Sequence, residues 1–232
     1  MHTPAIADKY QKNGVDVLAV NYRGFGKSEG TPSEQGLYQD AEAMFKHLTQ
    51  TLKIPAEDVI LHGYSMGGPI AAHLASKAQS DGHNVAGLIL DRPMPSTSKA
   101  TRAHYPKIGG IAGHIAKQSA GTLSVEKNVS PELKGTKILL MTDKERLGKQ
   151  GEQLRDRLLS NGFNVTGTSV NALHVESDVV MESQFGAIKD AFLPILATHP
   201  TPPALPRVHR DSPAIREQDE FIKEFGYLKD HI

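Results

Sequence analysis

The chain has 232 residues, enough for one domain with a sizeable core. Its 38 % apolar and 22 % charged content, with 26 basic against 26 acidic residues, suits a soluble globule and gives no global attraction to nucleic acid. The absence of cysteine excludes a disulfide framework, a thiolate metal site and a cysteine nucleophile. No apolar run is long enough to cross a membrane, and Met1–Lys12 lacks a charged segment followed by an apolar one, so neither a membrane span nor a signal peptide is expected. These features predict a soluble, cytosolic chain.

Short apolar runs alternate with helical patterns. Val15–Val20 predicts a buried strand, followed by the turn segment Asn21-Tyr22-Arg23-Gly24-Phe25-Gly26. A helix is predicted next, with Thr31 as N-cap, Pro32 at its first position and Glu34 completing a capping box. Leu37, Ala41, Met44, Phe45, Leu48 and Leu52 recur along it at helical spacing. Val59–Leu61 predicts a second strand, which runs into Gly63-Tyr64-Ser65-Met66-Gly67-Gly68 and then a helix carrying Ile70, Ala71, Leu74, Ala75 and Ala78. Val85–Leu90 and Lys137–Met141 predict a third and a fourth strand. A helix lined by Leu147, Leu154, Leu158 and Leu159 then stops at Asn161-Gly162. Val165–Val170 is the fifth predicted strand, and a last helix spans Asp178 to about Leu196, with Val179, Phe185, Ile188, Phe192 and Leu196 inward.

Strands that alternate with helices imply right-handed βαβ units and a mostly parallel sheet with helices on both faces, an α/β fold. Residues 1–198 are read as this domain, with 93–135 too long for a simple connection and expected to hold a lid or extra helices. Residues 199–214 are proline-rich and read as a linker, and 215–232 as a short charged helix.

Gly63-Tyr64-Ser65-Met66-Gly67 fits G-x-S-x-G between a strand and a helix, the pattern of a nucleophile elbow. A serine there sits on a sharp, strained turn that projects its oxygen above the sheet. The glycines on either side are expected to remove Cβ atoms that would collide with the neighbouring strand and helix. The next helix points its N-terminus at the site, so the Met66 amide can stabilise an oxyanion. The alternative is a glycine-rich turn with an incidental serine.

A nucleophilic serine needs a base, and the base needs an orienting acid. Of the eleven histidines, His174 lies just past the fifth strand, where sites form on a parallel sheet. His62 lies inside a strand and is expected to pack; His47, His73 and His83 lie on or beside helices. Asp143 follows the fourth strand and is the expected acid, with Glu145 and then Asp91 as rivals. The alternative role for Asp143 is as N-cap of the following helix. The order Ser65, Asp143, His174 is that of this kind of site. No metal-ligand spacing is present, and no metal or cofactor is expected.

With these residues named, the sequence resembles the α/β-hydrolase superfamily, in the branch of serine aminopeptidase-like and BEM46-like proteins. The resemblance rests on Asn21-Tyr22-Arg23-Gly24-Phe25-Gly26-Lys27-Ser28, on Gly63–Gly68, on Asp143 and on His174, and it covers roughly Thr3 to Leu196. It implies that Val15–Val20 is the fourth strand of eight. One departure is Asn21, where the family often has aspartate. A larger one is at the start: the family has three earlier strands, and a His-Gly loop after the third supplies a second oxyanion amide. The expectation is therefore that the chain is a fragment of a longer polypeptide, or takes those strands from elsewhere, and that alone it turns over esters poorly. More narrowly, the sequence is similar to the α/β-hydrolase effector domains of the large MARTX toxins of Vibrio. That resemblance implies delivery into the host cell cytosol and phospholipase A1 action on phosphatidylinositol 3-phosphate.

A separate local clue concerns the substrate. Between Arg92 and Val125 lie Arg92, Lys99, Arg102, Lys107 and Lys117 with no acidic residue, among them Tyr105, Ile108, Ile111 and Ile115. A mixed basic and apolar segment suits an anionic lipid surface, where each cation contributes about 1 kcal/mol. Tyr64, Arg92, Arg102 and Lys107 are the expected substrate-binding residues. The expected partners are a lipid or small ester and, peripherally, an anionic membrane; no nucleic-acid partner is expected. A solvated basic loop, an esterase, thioesterase or peptidase with a soluble substrate, and a non-catalytic interaction module remain the alternatives.

Overall fold

The computed structural model describes residues 3–26, 28–94, 123–143, 146–170 and 180–196. In chain order these form α1 (Thr3–Lys12), α2 (Glu34–Lys46), β1 (Ile60–Tyr64), α3 (Gly67–Ser80), β2 (Gly87–Asp91), α4 (Val125–Asn128), β3 (Ile138–Thr142), α5 (Arg146–Ser160), β4 (Val165–Ser169) and α6 (Val180–Leu196). Short 3-10 turns at Ala56–Asp58 and Pro131–Gly135 lead into β1 and β3, and α2 ends in a π-helical turn over His47–Thr51.

The four strands make one parallel sheet in the order β1-β2-β3-β4. Tyr64 pairs with Asp91, Asp91 with Met141, and Thr142 with Ser169, so all four strands end at a common edge. The central strands GLILD and ILLMT are buried throughout, as a sheet covered on both faces requires. Alternation then sorts their side chains. Leu88, Leu90, Ile138 and Leu140 join Leu61, Ile70, Leu74 and Leu154 in a core under α2, α3 and α5. Ile89, Leu139 and Met141 face the other way, onto Tyr10 of α1 and Phe185, Ile188 and Phe192 of α6. Each such aliphatic side chain contributes about 1.5–3 kcal/mol by leaving water. β4 is the more exposed edge strand, which its sequence VTGTS reflects.

Four of the five predicted strands form, each shifted by at most a few residues. Val15–Val20 does not: among the described residues it contributes only an isolated bridge at Val20. An apolar run becomes a strand only when a neighbour pairs with its backbone, and no described strand lies alongside this one. The start of α2 also differs. Its N-cap is Ser33, not Thr31; the Ser33 hydroxyl accepts a hydrogen bond from Gly36 N–H at 3.1 Å, and Glu34 is the first helical residue. On α5, Leu154 and Leu158 are buried, but Leu159 is 47 % exposed and lies outside the apolar stripe. The predicted linker and terminal helix after residue 198, and most of the 93–135 insertion, lie outside the described residues.

Candidate active site

The site is built at the common strand edge, where a parallel sheet leaves room for a ligand. β1 delivers Ser65 one residue past its end, and α3 begins two residues later. Ser65 has φ +50°, a left-handed backbone that a non-glycine residue adopts only under constraint. The constraint is visible in its backbone bonds. Ser65 N–H donates to Asp91 O at 3.0 Å, and Ser65 O accepts from Gly68 N at 3.1 Å and Met94 N at 2.9 Å.

The glycines around the serine have unequal reasons. A Cβ at Gly63 would lie 2.3 Å from Gly67 O and 2.8 Å from Ala71 Cβ, so the close approach of α3 to β1 demands glycine there. A Cβ at Gly68 would lie 2.7 Å from Pro93 Cβ. At Gly67 a Cβ would meet nothing within 4 Å. The expected steric role of the second motif glycine is thus wrong for Gly67; Gly68 takes it. Met66 is the N-cap of α3, which sets its amide at the positive end of a fourteen-residue helix.

Asp143 follows β3 and is buried, with 5 % of its surface exposed. It stands two strands from Ser65, roughly 10 Å across the sheet at ordinary strand spacing. β4 then brings the chain back to the same edge. Val170 N–H donates to Thr142 O at 2.8 Å, so the residue after β4 is tied to the one that precedes Asp143. His174 itself, the rival acid Glu145, and the expected substrate contacts Arg102 and Lys107 lie outside the described residues.

Asp91 and Arg92, read in the sequence as a rival acid and a substrate contact, are tied to one another. Arg92 Nε donates to Asp91 Oδ1 at 2.9 Å, and the Arg92 guanidinium lies 4.8 Å from the centre of the Tyr64 ring. The Arg92 side chain is 3 % exposed, so its charge is spent within the protein. On the same face, His62 Nε2 lies 3.6 Å from Asp91 Oδ2, and His62 Nδ1 lies 3.0 Å from the Tyr10 hydroxyl. With Tyr10 as donor, the ring proton sits on Nε2 and faces the carboxylate. Burial opposes ionisation of Asp91, but His62 and Arg92 more than offset it and hold the carboxyl below the ordinary carboxylate range. Burial, reinforced by Asp91, pushes the Tyr10 phenol up. This cluster escaped the sequence reading; its signal was the period-two spacing of His62 with Tyr64 and of Ile89 with Asp91, which puts them on one sheet face.

The loop that precedes α2 is docked by Arg23. Its backbone N–H donates to Asp40 Oδ2 at 2.9 Å, and its guanidinium holds both oxygens of the same carboxylate at 2.6–3.1 Å. Tyr22 and Phe25 thereby pack against the same core as Met66. Burial, with Asp40 nearby, raises the Tyr22 phenol to about 12. His73 stacks on Tyr38 with ring centres 3.9 Å apart and meets Glu42 at 3.0 Å, a joint between α2 and α3.

A parallel sheet with helices on both faces, a serine at a strained strand-to-helix turn and a buried acid after the next strand but one define an α/β hydrolase. Residues 2–165 match the family model described as serine aminopeptidase, S33, and the chain belongs to that family. It is 53 % identical over 178 residues to the multifunctional-autoprocessing repeats-in-toxin proteins of Vibrio cholerae serotype O1 and Vibrio vulnificus. That stretch is 76 % of this chain but only 4 % and 3 % of theirs, so the chain spans a small part of the length of these relatives. Among solved structures it is similar to the α/β hydrolase of Vibrio vulnificus, at TM-score 0.70 and 48 % identity over 82 % of this chain and 67 % of that one. An esterase of Pyrobaculum calidifontis shares the fold, at TM-score 0.58 and 16 % identity over 82 % of this chain and 70 % of that one. Among the described residues no helix is long and apolar enough to cross a membrane.

Proposed function

We propose that the chain carries a serine hydrolase site in which Ser65 is the nucleophile, His174 the base and Asp143 the orienting acid. The observation that carries this reading is the Ser65 turn: a left-handed serine between β1 and α3, flanked by a glycine that the backbone of α3 leaves no room to replace. A strained serine at a helix N-terminus is what acyl transfer needs, because the oxygen projects and the Met66 amide can meet the developing oxyanion.

The chemistry is two-step. His174 takes the Ser65 hydroxyl proton as the serine oxygen bonds to the ester carbonyl carbon. The tetrahedral intermediate collapses, the bond to the leaving alkoxide breaks, and His174 returns the proton to it. Water, deprotonated by the same imidazole, then cleaves the acyl-enzyme and regenerates Ser65. Asp143 holds the imidazole in the required orientation throughout.

The substrate is an anionic phospholipid, cleaved as by a phospholipase A1, with phosphatidylinositol 3-phosphate as the named expectation. Similarity to the Vibrio toxins supports an effector acting inside a host cell, and the basic, apolar sequence between Arg92 and Val125 supports a charged lipid surface. Arg102 and Lys107 are the cations proposed to meet the headgroup.

The test is fluorophosphonate labelling of the longest natural polypeptide that contains these residues. Labelling that disappears in Ser65→Ala is expected; a polypeptide that never reacts at Ser65 is a non-catalytic module and overturns the proposal. Vesicles then separate substrates. Release of fatty acid from vesicles containing phosphatidylinositol 3-phosphate, faster than from phosphatidylcholine and reduced by charge reversal at Arg102 and Lys107, is expected. Equal rates on both vesicles with faster turnover of short p-nitrophenyl esters indicate a soluble-ester hydrolase instead.

A further inference from the structure

The buried Asp91 carboxylate has no place in the acyl-transfer scheme, yet its own backbone touches the nucleophile. Residues 91 to 94 bracket Ser65: the Asp91 carbonyl accepts the Ser65 N–H, and the Met94 N–H donates to the Ser65 carbonyl. Between these two contacts lies Arg92, whose φ of +43° is as unusual for a long side chain as that of Ser65 itself. Two strained residues thus face each other at the ends of adjacent strands. Such conformations cost about 1–3 kcal/mol each and persist only where the surroundings over-determine them.

Arg92 is anchored through both its backbone and its side chain. Its N–H continues the sheet ladder by donating to Met141 O at 2.9 Å. Its guanidinium is turned back by the Asp91 carboxylate at 2.9 Å and seated over Tyr64. The carboxylate is in turn faced by His62, which is tethered to Tyr10 of α1. A chain of contacts therefore runs from α1, through β1, to the bracket around the serine, all on the sheet face opposite α3.

We propose that Asp91 is a positioning residue for Ser65: with Arg92 and His62 it fixes the 91–94 bracket, and the bracket fixes the strained turn. The inference rests on reading Ser65 as the nucleophile, but its first test does not need turnover. Without the carboxylate, Arg92 Nε loses the charged acceptor that turns its side chain back over Tyr64. Arg92 leaves its left-handed conformation, and the bracket loosens.

The experiment is amide hydrogen exchange on wild type, Asp91→Asn and the double variant Asp91→Asn/Arg92→Gly, alongside fluorophosphonate labelling of the longest natural polypeptide carrying the same changes. In Asp91→Asn the Ser65 and Met94 amides are expected to lose about tenfold or more protection beyond the smaller loss at the β3 amides, which report the global change in stability. Labelling is expected to reach full amplitude at a rate about tenfold lower, because a misaligned nucleophile reacts slowly but still reacts. The double variant is expected to recover both, since glycine adopts a positive φ without an anchor and carries no buried charge. Unchanged protection at Ser65 and Met94 overturns the proposal. So does faster exchange spread evenly over the sheet, with reduced labelling amplitude at an unchanged rate, which marks Asp91 as a general stabiliser. If wild type never labels, the hydrolase reading falls, and exchange still decides whether Asp91 holds the turn.

Discussion

A methyl group added at position 63 and one added at position 67 meet opposite surroundings. The first lands on the backbone of Gly67, and the second on nothing within 4 Å. Gly63→Ala is expected to lower stability by about 1–3 kcal/mol or prevent folding, as overpacking against backbone does. Gly67→Ala, at the first position of α3, is expected to leave the thermal midpoint unchanged or slightly raised. Thermal melts of the two variants compare them directly; equal losses contradict the packing described. Acid titration addresses Asp91. Its folded carboxyl lies below the ordinary carboxylate value, so the stability it contributes is complete above about pH 4–5 and is lost as pH falls through the lower folded value. Asp91→Asn is therefore expected to be less stable than wild type at neutral pH, with the gap closing below about pH 4. Denaturant melts across that range check it, and a gap independent of pH contradicts it. At this scale the serine turn was legible in five residues. The Asp91 cluster was not, because a carboxylate after a strand looks the same in sequence whether it faces a catalytic histidine or a buried arginine.

Helix ends and faces give the second scale. The capping pattern beginning at Thr31 was persuasive, yet Ser33 caps α2, because Ser33 has extended backbone angles and its hydroxyl reaches Gly36 N–H. Ser33→Ala is expected to cost about 1 kcal/mol and Thr31→Ala close to nothing. Similarly, α5 buries Leu154 and Leu158 but turns Leu159 outward. Leu154→Ala is expected to cost about 2–5 kcal/mol, and Leu159→Ala to stay within about 0.5 kcal/mol. Urea unfolding of these four variants tests both assignments. Helix periodicity was readable over whole elements, whereas a single cap or one leucine at the border of a stripe depends on neighbours that the sequence does not display. Val15–Val20 makes the same point for strands: apolar content was correct, but among the described residues the run pairs only at Val20, in an isolated bridge.

For the whole molecule, the alternation of strand and helix was enough to derive a parallel sheet with two covered faces, and four of the five predicted strands form it. The arrangement follows from connectivity, since right-handed crossovers leave few other ways to stack these elements. The edge that carries the candidate site was legible because the sheet gathers its strand ends: Ser65 follows β1 and Asp143 follows β3 at one edge, where β4 also ends. Substrate choice was less legible, since it turns on side chains between the strands. The central claim is that the residues at 65, 143 and 174 act as one unit. It is tested most directly by the rate of Ser65 acylation in Asp143→Ala, His174→Ala and the double variant, made in the longest natural polypeptide. Each single change is predicted to slow acylation by about 10³-fold or more, and the double variant to be no slower than His174→Ala alone, because parts of one machine fail together. Losses that multiply, or an Asp143→Ala protein that reacts at the wild-type rate, would contradict the account.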